Sequence, residues 1–199
     1  MTDNKVYTSI LNKFNNGIKM FGVLIDPDKQ NVRELLETVK VCNETDVDYF
    51  FVGGSIITQG DMQKTTRLIK ENSTKPIIIF PGNPDQISNY ADAILFLSLI
   101  SGRNPEFLIG HQVTAAPMIK KTNLEVIPTG YLLVDCGTTT TAIYVSDTNP
   151  IPHSNPEIAA NTSTCVDSGE INISEIKRKR SSLASLLESA RIREASNGS

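Results

Sequence analysis

The stretch Lys19-Met20-Phe21-Gly22-Val23-Leu24-Ile25-Asp26-Pro27-Asp28-Lys29 decides the fold. A short apolar run ends abruptly in a turn rich in carboxylates. Pro27 has no N–H to give to a sheet, so the strand stops there. Val32, Leu35, Leu36 and Val39 follow at helical spacing, and Asn31 stands where an N-cap belongs. The unit is strand, polar turn, helix.

The unit recurs along the chain. Tyr49 to Val52 closes on Gly53-Gly54-Ser55, and Met62, Leu68 and Ile69 mark a second helix. Pro76 to Phe80 closes on Pro81-Gly82-Asn83. Ala93 to Leu97 ends near Ser98, and a helical stretch from Asn104 to Lys121 follows, with a kink expected at Pro117. Leu124 to Ile127 ends at Pro128-Thr129-Gly130. Tyr131 to Asp135 and Ala142 to Val145 read as strands flanking a polar turn. Nearly continuous apolar strands between amphipathic helices predict an α/β fold with a parallel sheet covered by helices. Closing eight such units into a TIM (β/α) barrel takes about 250 residues; this chain has 199. Two architectures fit the pattern: an incomplete barrel of about five to six units, or an open doubly wound sheet.

After Thr164 the texture changes. Val166 to Ser199 offers no strong strand candidate. It carries the basic run Lys177-Arg178-Lys179-Arg180, and then Leu183, Leu186, Leu187 and Ala190 at helical spacing. The expected organisation is a partial barrel over residues 1–165 and a separate helical or disordered tail over 166–199.

Composition narrows the function classes. A net charge of −3 gives no basic footprint for nucleic acid. Cys42, Cys136 and Cys165 are odd in number and form no C-x-x-C pair, which favours reduced thiols over a disulfide framework. His111 and His153 stand too far apart in sequence to suggest a zinc site. The first residues lack the apolar run of a signal peptide, and no apolar stretch approaches the roughly 20 residues that span a bilayer. The expected setting is the cytoplasm, with at most peripheral membrane contact.

Polar and glycine-rich signals sit at the ends of successive strands. In a parallel barrel or open α/β sheet these ends converge on the face where ligands bind. Asp26 is a candidate magnesium ligand, because magnesium takes hard oxygen donors and is often held by one or two carboxylates plus substrate phosphates. Asp28 is a second carboxylate nearby; both also fit the plain role of starting a turn. Gly53-Gly54-Ser55 can bring backbone N–H groups to a phosphate and a hydroxyl to a metal, or be a tight turn. Asn83 suits a ligand contact or an N-cap. Arg103 suits a diphosphate or a solvated loop position. Tyr131 can present its hydroxyl to a ligand or be a half-buried strand aromatic. His111 reads as structural, and Cys136 as a small buried residue.

These residues together resemble a known family. Leu24-Ile25-Asp26-Pro27-Asp28-Lys29, Phe51-Val52-Gly53-Gly54-Ser55, Phe80-Pro81-Gly82-Asn83, Ala93-Ile94-Leu95-Phe96-Leu97-Ser98, Ser101-Gly102-Arg103-Asn104-Pro105-Glu106, Glu125-Val126-Ile127-Pro128-Thr129-Gly130-Tyr131 and Asn149-Pro150-Ile151-Pro152 look like geranylgeranylglyceryl phosphate synthase. The resemblance covers roughly Phe21 to Thr162. It implies a TIM barrel and transfer of a geranylgeranyl group from geranylgeranyl diphosphate to the 3-hydroxyl of sn-glycerol 1-phosphate, in archaeal-type ether lipid synthesis. It implies Mg2+ held by Asp26 and Ser55. It puts Asn83, Arg103 and Tyr131 in motifs of the substrate-binding face, and it implies a homo-oligomer. The family's later motifs do not occur here: a Tyr-Leu-Glu-Ala-Gly-Ser strand, a Gly-Gly-Gly-Ile-Arg-like stretch and a late Gly-Asn pair. Cys136 stands where a glycine is usual. With the proton-accepting carboxylate motif absent, no catalytic residue is assigned. The competing expectation is a non-catalytic barrel fragment that binds diphosphate or pairs with another chain.

Overall fold

The computed structural model describes residues 5–164 and 171–173. The elements run α1 (Lys5–Asn15), β1 (Gly22–Ile25), α2 (Val32–Asn43), β2 (Tyr49–Val52), α3 (Met62–Asn72), β3 (Ile77–Ile79), β4 (Ala93–Leu99), α4 (His111–Ile119), β5 (Glu125–Tyr131), α5 (Thr141–Ser146), α6 (Pro156–Thr164) and β6 (Ile171–Ile173). The six strands form one sheet in the order β1-β2-β3-β4-β5-β6, and each neighbouring pair is parallel. A doubly wound sheet reverses its strand order at a switch point. This sheet never reverses, so it is the arc of a (β/α) barrel.

Alternation along the strands separates two apolar layers. Phe50, Val52, Ile77, Ile79 and Ile94 face outward and pack with Leu35 and Val39 of α2, Ile69 of α3 and Ile119 of α4. Tyr49, Ile78, Ala93, Leu95 and Ile127 face inward and pack together. The helix α1 closes the N-terminal end of that interior, where Val6 joins the inner cluster. Burying a valine side chain there stabilises the fold by roughly 1.5–3 kcal/mol. No acidic residue stands in the first turn of α1. Its orphan donors go instead to Glu125 at the start of β5, whose Oε2 accepts from Val6 N at 2.8 Å and whose Oε1 accepts from Tyr7 N at 2.7 Å.

Local chemistry explains the element ends. Asn31 caps α2 in a full capping box: its side chain accepts from Glu34 N, and the Glu34 carboxylate accepts from Asn31 N, both at 3.1 Å. Asp61 caps α3 by accepting from Lys64 N at 2.9 Å. The connection from β3 to β4 carries no helix and runs as a loop from Phe80 to Asp92.

Several expectations are corrected. Ala142–Val145 is helical, within α5, because Thr140 caps the turn by accepting from Ile143 N and Asp147 closes it in a left-handed conformation at φ 48°. A short apolar run with β-branched residues fits either state, and the cap decides. Tyr131 ends β5 rather than opening a strand; Leu132 to Asp135 leaves the sheet, and Val134 makes a single bridge to Ile151. The strand β5 runs through Pro128, opposite Phe96. Among the described residues β6 pairs from Thr129 onward, so Pro128 has no β6 partner there that would need its missing N–H. The irregularity in the Asn104–Lys121 stretch is a π turn over Glu106–Gly110, and Pro117 is accommodated inside α4. Ile171–Ile173 is a strand where none was expected. The remaining tail, including Cys165 and the basic run, lies outside the described residues. Among the described residues no helix is long and apolar enough to cross a membrane.

Candidate functional site

The C-terminal ends of the strands open into one cavity of about 1280 Å³. Asp26 after β1, Ser55 after β2, Asn83 after β3 and Tyr131 at the end of β5 all line it. The parallel, in-order sheet is what brings them together: each strand delivers its terminal turn to the same rim.

Asp26 sits low in the rim, with 18% of its side chain exposed. Its Oδ1 accepts from Asp28 N at 3.1 Å, and its Oδ2 pairs with Lys29 Nζ at 3.0 Å. The carboxylate lies against the backbone of Gly54. A Cβ added there would stand 2.9 Å from Asp26 Oδ1 and 3.1 Å from its Cγ. Only a glycine lets the carboxylate reach the Gly53-Gly54-Ser55 turn so closely.

Asp28 has a different task. Its carboxylate accepts from Thr58 N at 2.8 Å, from Thr58 Oγ1 at 2.9 Å and from the backbone N–H groups of Gln59 and Gly60. The Thr58 backbone bond, then that of Gly60, holds its pKa down at about 2. Its oxygens are taken up by the 58–60 loop, so its role is to anchor that loop rather than to bind metal.

The Gly82 turn packs flush on the Gly53-Gly54-Ser55 turn. A Cβ on Gly82 would meet the carbonyl oxygens of Gly54 and Ser55. Gln86, 3% exposed, clamps the two: its Nε2 donates to Gly54 O at 2.9 Å and its Oε1 accepts from Gly82 N at 3.0 Å. Asn83, half-buried, accepts at Oδ1 from Asp85 N at 3.3 Å. Tyr131 stands edge-on to Phe80, with ring centroids 5.6 Å apart. Arg103 is not brought into the wall. It is exposed, and its guanidinium donates to Gly102 O at 3.0 Å.

The rest of the wall is largely apolar and includes Leu95, Leu97, Phe107, Ala115 and Ile119. His111 lies in this wall too, with its ring 4.5 Å from that of Phe107. Cys136 is exposed, not buried. It follows β5 in a loop, just before Gly137 at φ 81°, and its thiol reaches only Thr138. Sequence reasoning missed Gln86 and Gln30, which also lines the cavity. A lone glutamine in a polar stretch carries no signal for either role.

Among the described residues no three His, Cys, Asp or Glu side chains converge into a cage. One carboxylate held against a glycine-cleared turn, with a serine hydroxyl on that turn, fits an ion that takes most of its shell from phosphate and water.

The sequence model of the PcrB family matches residues 17–172. Geranylgeranylglyceryl phosphate synthase of Chitinophaga pinensis is 47% identical over 156 residues, which are 78% of this chain and 62% of that protein. The protein of the same name from Pyrococcus furiosus is 45% identical over 139 residues, 69% of this chain and 55% of its own length. Among solved structures, (S)-3-O-geranylgeranylglyceryl phosphate synthase of Thermoplasma acidophilum, in complex with its substrate sn-glycerol-1-phosphate, superposes with a TM-score of 0.75 at 30% identity, covering 84% of this chain and 70% of that one. Wild-type GGGPS from Thermoplasma volcanium gives 0.74 at 33% identity, covering 81% and 64%. The chain spans about six-tenths of the length of the curated relatives it matches. With the barrel order of its strands and a family match over most of its length, the chain belongs to the PcrB family.

Proposed function

We propose that this chain is the strand-end half-site of a prenyltransferase that moves a geranylgeranyl group from geranylgeranyl diphosphate to the 3-hydroxyl of sn-glycerol 1-phosphate. The observation that supports it is the large cavity lined by Asp26, Ser55, Asn83 and Tyr131, in a chain whose relatives carry that name. In the reaction the allylic C–O bond to diphosphate breaks, and an ether C–O bond to glycerol phosphate forms. The hydroxyl proton leaves to a base that the matched motifs do not assign.

Asp26 and Ser55 would hold Mg2+. When bound, the ion neutralises charge that grows on the departing diphosphate. The Gly53-Gly54-Ser55 and Pro81-Gly82-Asn83 turns, locked by Gln86, set where the polar head sits. The Asn83 amide meets a polar substrate group, and Tyr131 shapes the inner wall beside Phe80. The apolar wall of Leu95, Leu97, Phe107 and Ile119 takes the prenyl tail, at about 0.8 kcal/mol per buried CH₂. Arg103, exposed and outside this wall, would contact only a diphosphate that extends beyond it.

Incubation with labelled geranylgeranyl diphosphate, sn-glycerol 1-phosphate and Mg2+ tests this. Ether product that falls greatly in Asp26→Asn is expected. No product at high protein concentration, beside an active full-length relative, refutes the reading. One observation favours the second reading, a partial barrel that pairs with another chain: among the described residues β1 has a strand partner on one side only, and Leu24 is 46% exposed.

A further inference from the structure

We propose that Gln30 is a positioning residue of the divalent-ion site, whose side-chain carbonyl accepts a hydrogen bond from a water in the ion's shell. This rests on the Asp26 ion reading and goes beyond it.

Gln30 Oε1 is the one buried side-chain polar atom without a hydrogen-bond partner among the described residues. Such atoms are rare in folded proteins and call for a missing partner. Gln30 lines the same cavity as Asp26 and Ser55. It is also held in place from both sides. Before it, Lys29 N donates to Asp26 O at 3.0 Å, and the Asp28 carboxylate grips the 58–60 loop. After it, Asn31 is fixed by the capping box of α2. The chain on either side of Gln30 is therefore held in place.

The chemistry of the missing partner follows from the orphan atom. A carbonyl oxygen needs a donor. Diphosphate oxygens are acceptors near neutral pH, and a prenyl chain has no polar hydrogen; the hydroxyls of sn-glycerol 1-phosphate can donate, so the test below leaves that substrate out. Magnesium keeps several waters when bound through one or two carboxylates, and a metal polarises its waters into strong donors. A water on an ion at Asp26, four residues away along the same turn, supplies the donor that Gln30 lacks. Groups that orient a metal's shell in this way change its affinity by about 10–100-fold.

The test uses the full chain, Mn2+ as the probe ion and inorganic diphosphate. Electron paramagnetic resonance titration gives affinity, and water-proton relaxation reports the ion's waters. Gln30→Met removes the acceptor at similar length; Gln30→Glu keeps one. Gln30→Met is expected to weaken Mn2+ binding about tenfold or more and to change the relaxation signal, while its metal-free unfolding midpoint does not fall. Gln30→Glu is expected to bind at least as well as the parent. Parent-like Mn2+ affinity in Gln30→Met overturns the proposal, as does equal loss in both variants. If Asp26→Asn weakens binding and Gln30→Met does not, the Gln30 role alone fails. If the parent chain binds no Mn2+ at all, the ion reading fails with it.

Discussion

Gly54→Ala separates the geometry of the site from the stability of the fold. The new methyl carbon would stand 2.9 Å from Asp26 Oδ1, 3.1 Å from Cγ and 3.2 Å from Oδ2. Ordinary contact begins at 3.4 Å, so the carboxylate must withdraw by about half an ångström. The obstacle is the end of one side chain, not backbone, and it can swing away. Replacing glycine by alanine also restricts the unfolded chain, which favours folding by about 0.4–1 kcal/mol. The two effects oppose each other, and the net change in stability is expected within about 1 kcal/mol. An ion that demands near-ideal octahedral geometry tolerates the shift much less well. Affinity for Mn2+ with inorganic diphosphate should fall about tenfold or more, close to 1.4 kcal/mol. Calorimetric titration measures the affinity and a urea melt measures the stability. Unchanged affinity in a folded variant would refute the idea that Asp26 must lie against the Gly54 backbone to bind.

Acid should loosen the 58–60 loop. The folded-state pKa of Asp28 is lowered to about 2 from an ordinary 3.8, so its contribution is present above the ordinary value and lost as pH falls through the lowered one. Protection of the Thr58 and Gly60 amides, taken relative to the intrinsic exchange rate at each pH, should therefore fall between about pH 4 and pH 2, and Asp28→Asn should remove that step; pH-independent protection would contradict the anchor. Glu125→Gln should loosen α1, since one of its two carboxylate acceptors becomes a donor facing a donor. The expected loss is about 1.5–3 kcal/mol, seen in urea melts and in faster exchange of Val6 and Tyr7. Unchanged exchange there would show that the carboxylate does not hold the helix.

The repeating unit was legible because its signals are local. Apolar runs ending in Asp26-Pro27, Gly53-Gly54 and Pro81-Gly82 mark strand ends, and Asn31 marks a helix start. The strands β1 to β5, in barrel order, follow that pattern, while β6 carries no such signal. The misread elements turn on context that no local window holds. The α5 helix depends on the Thr140 cap, and the described part of β6 pairs with β5 from Thr129 onward, past Pro128. The cap of α1 comes from Glu125, 119 residues away. At the site, strand-end position made Asp26, Ser55, Asn83 and Tyr131 candidates, each beside a plain turn or packing role, and only the family resemblance set them apart. Asp28 and Arg103 could not be sorted from them, because the sequence does not say which oxygens are already taken or which side chains turn outward. Gln86 and Gln30 were invisible for the same reason.

The claim on which the account turns is that Asp26 and Ser55 share a divalent ion at the cavity rim. Anomalous diffraction from crystals of this chain soaked with Mn2+ and inorganic diphosphate measures it directly. The account predicts a peak about 2.1 Å from an Asp26 carboxylate oxygen, with Ser55 Oγ in the same shell and Lys29 displaced. A peak elsewhere in the cavity, with the Asp26–Lys29 pair intact, would contradict it.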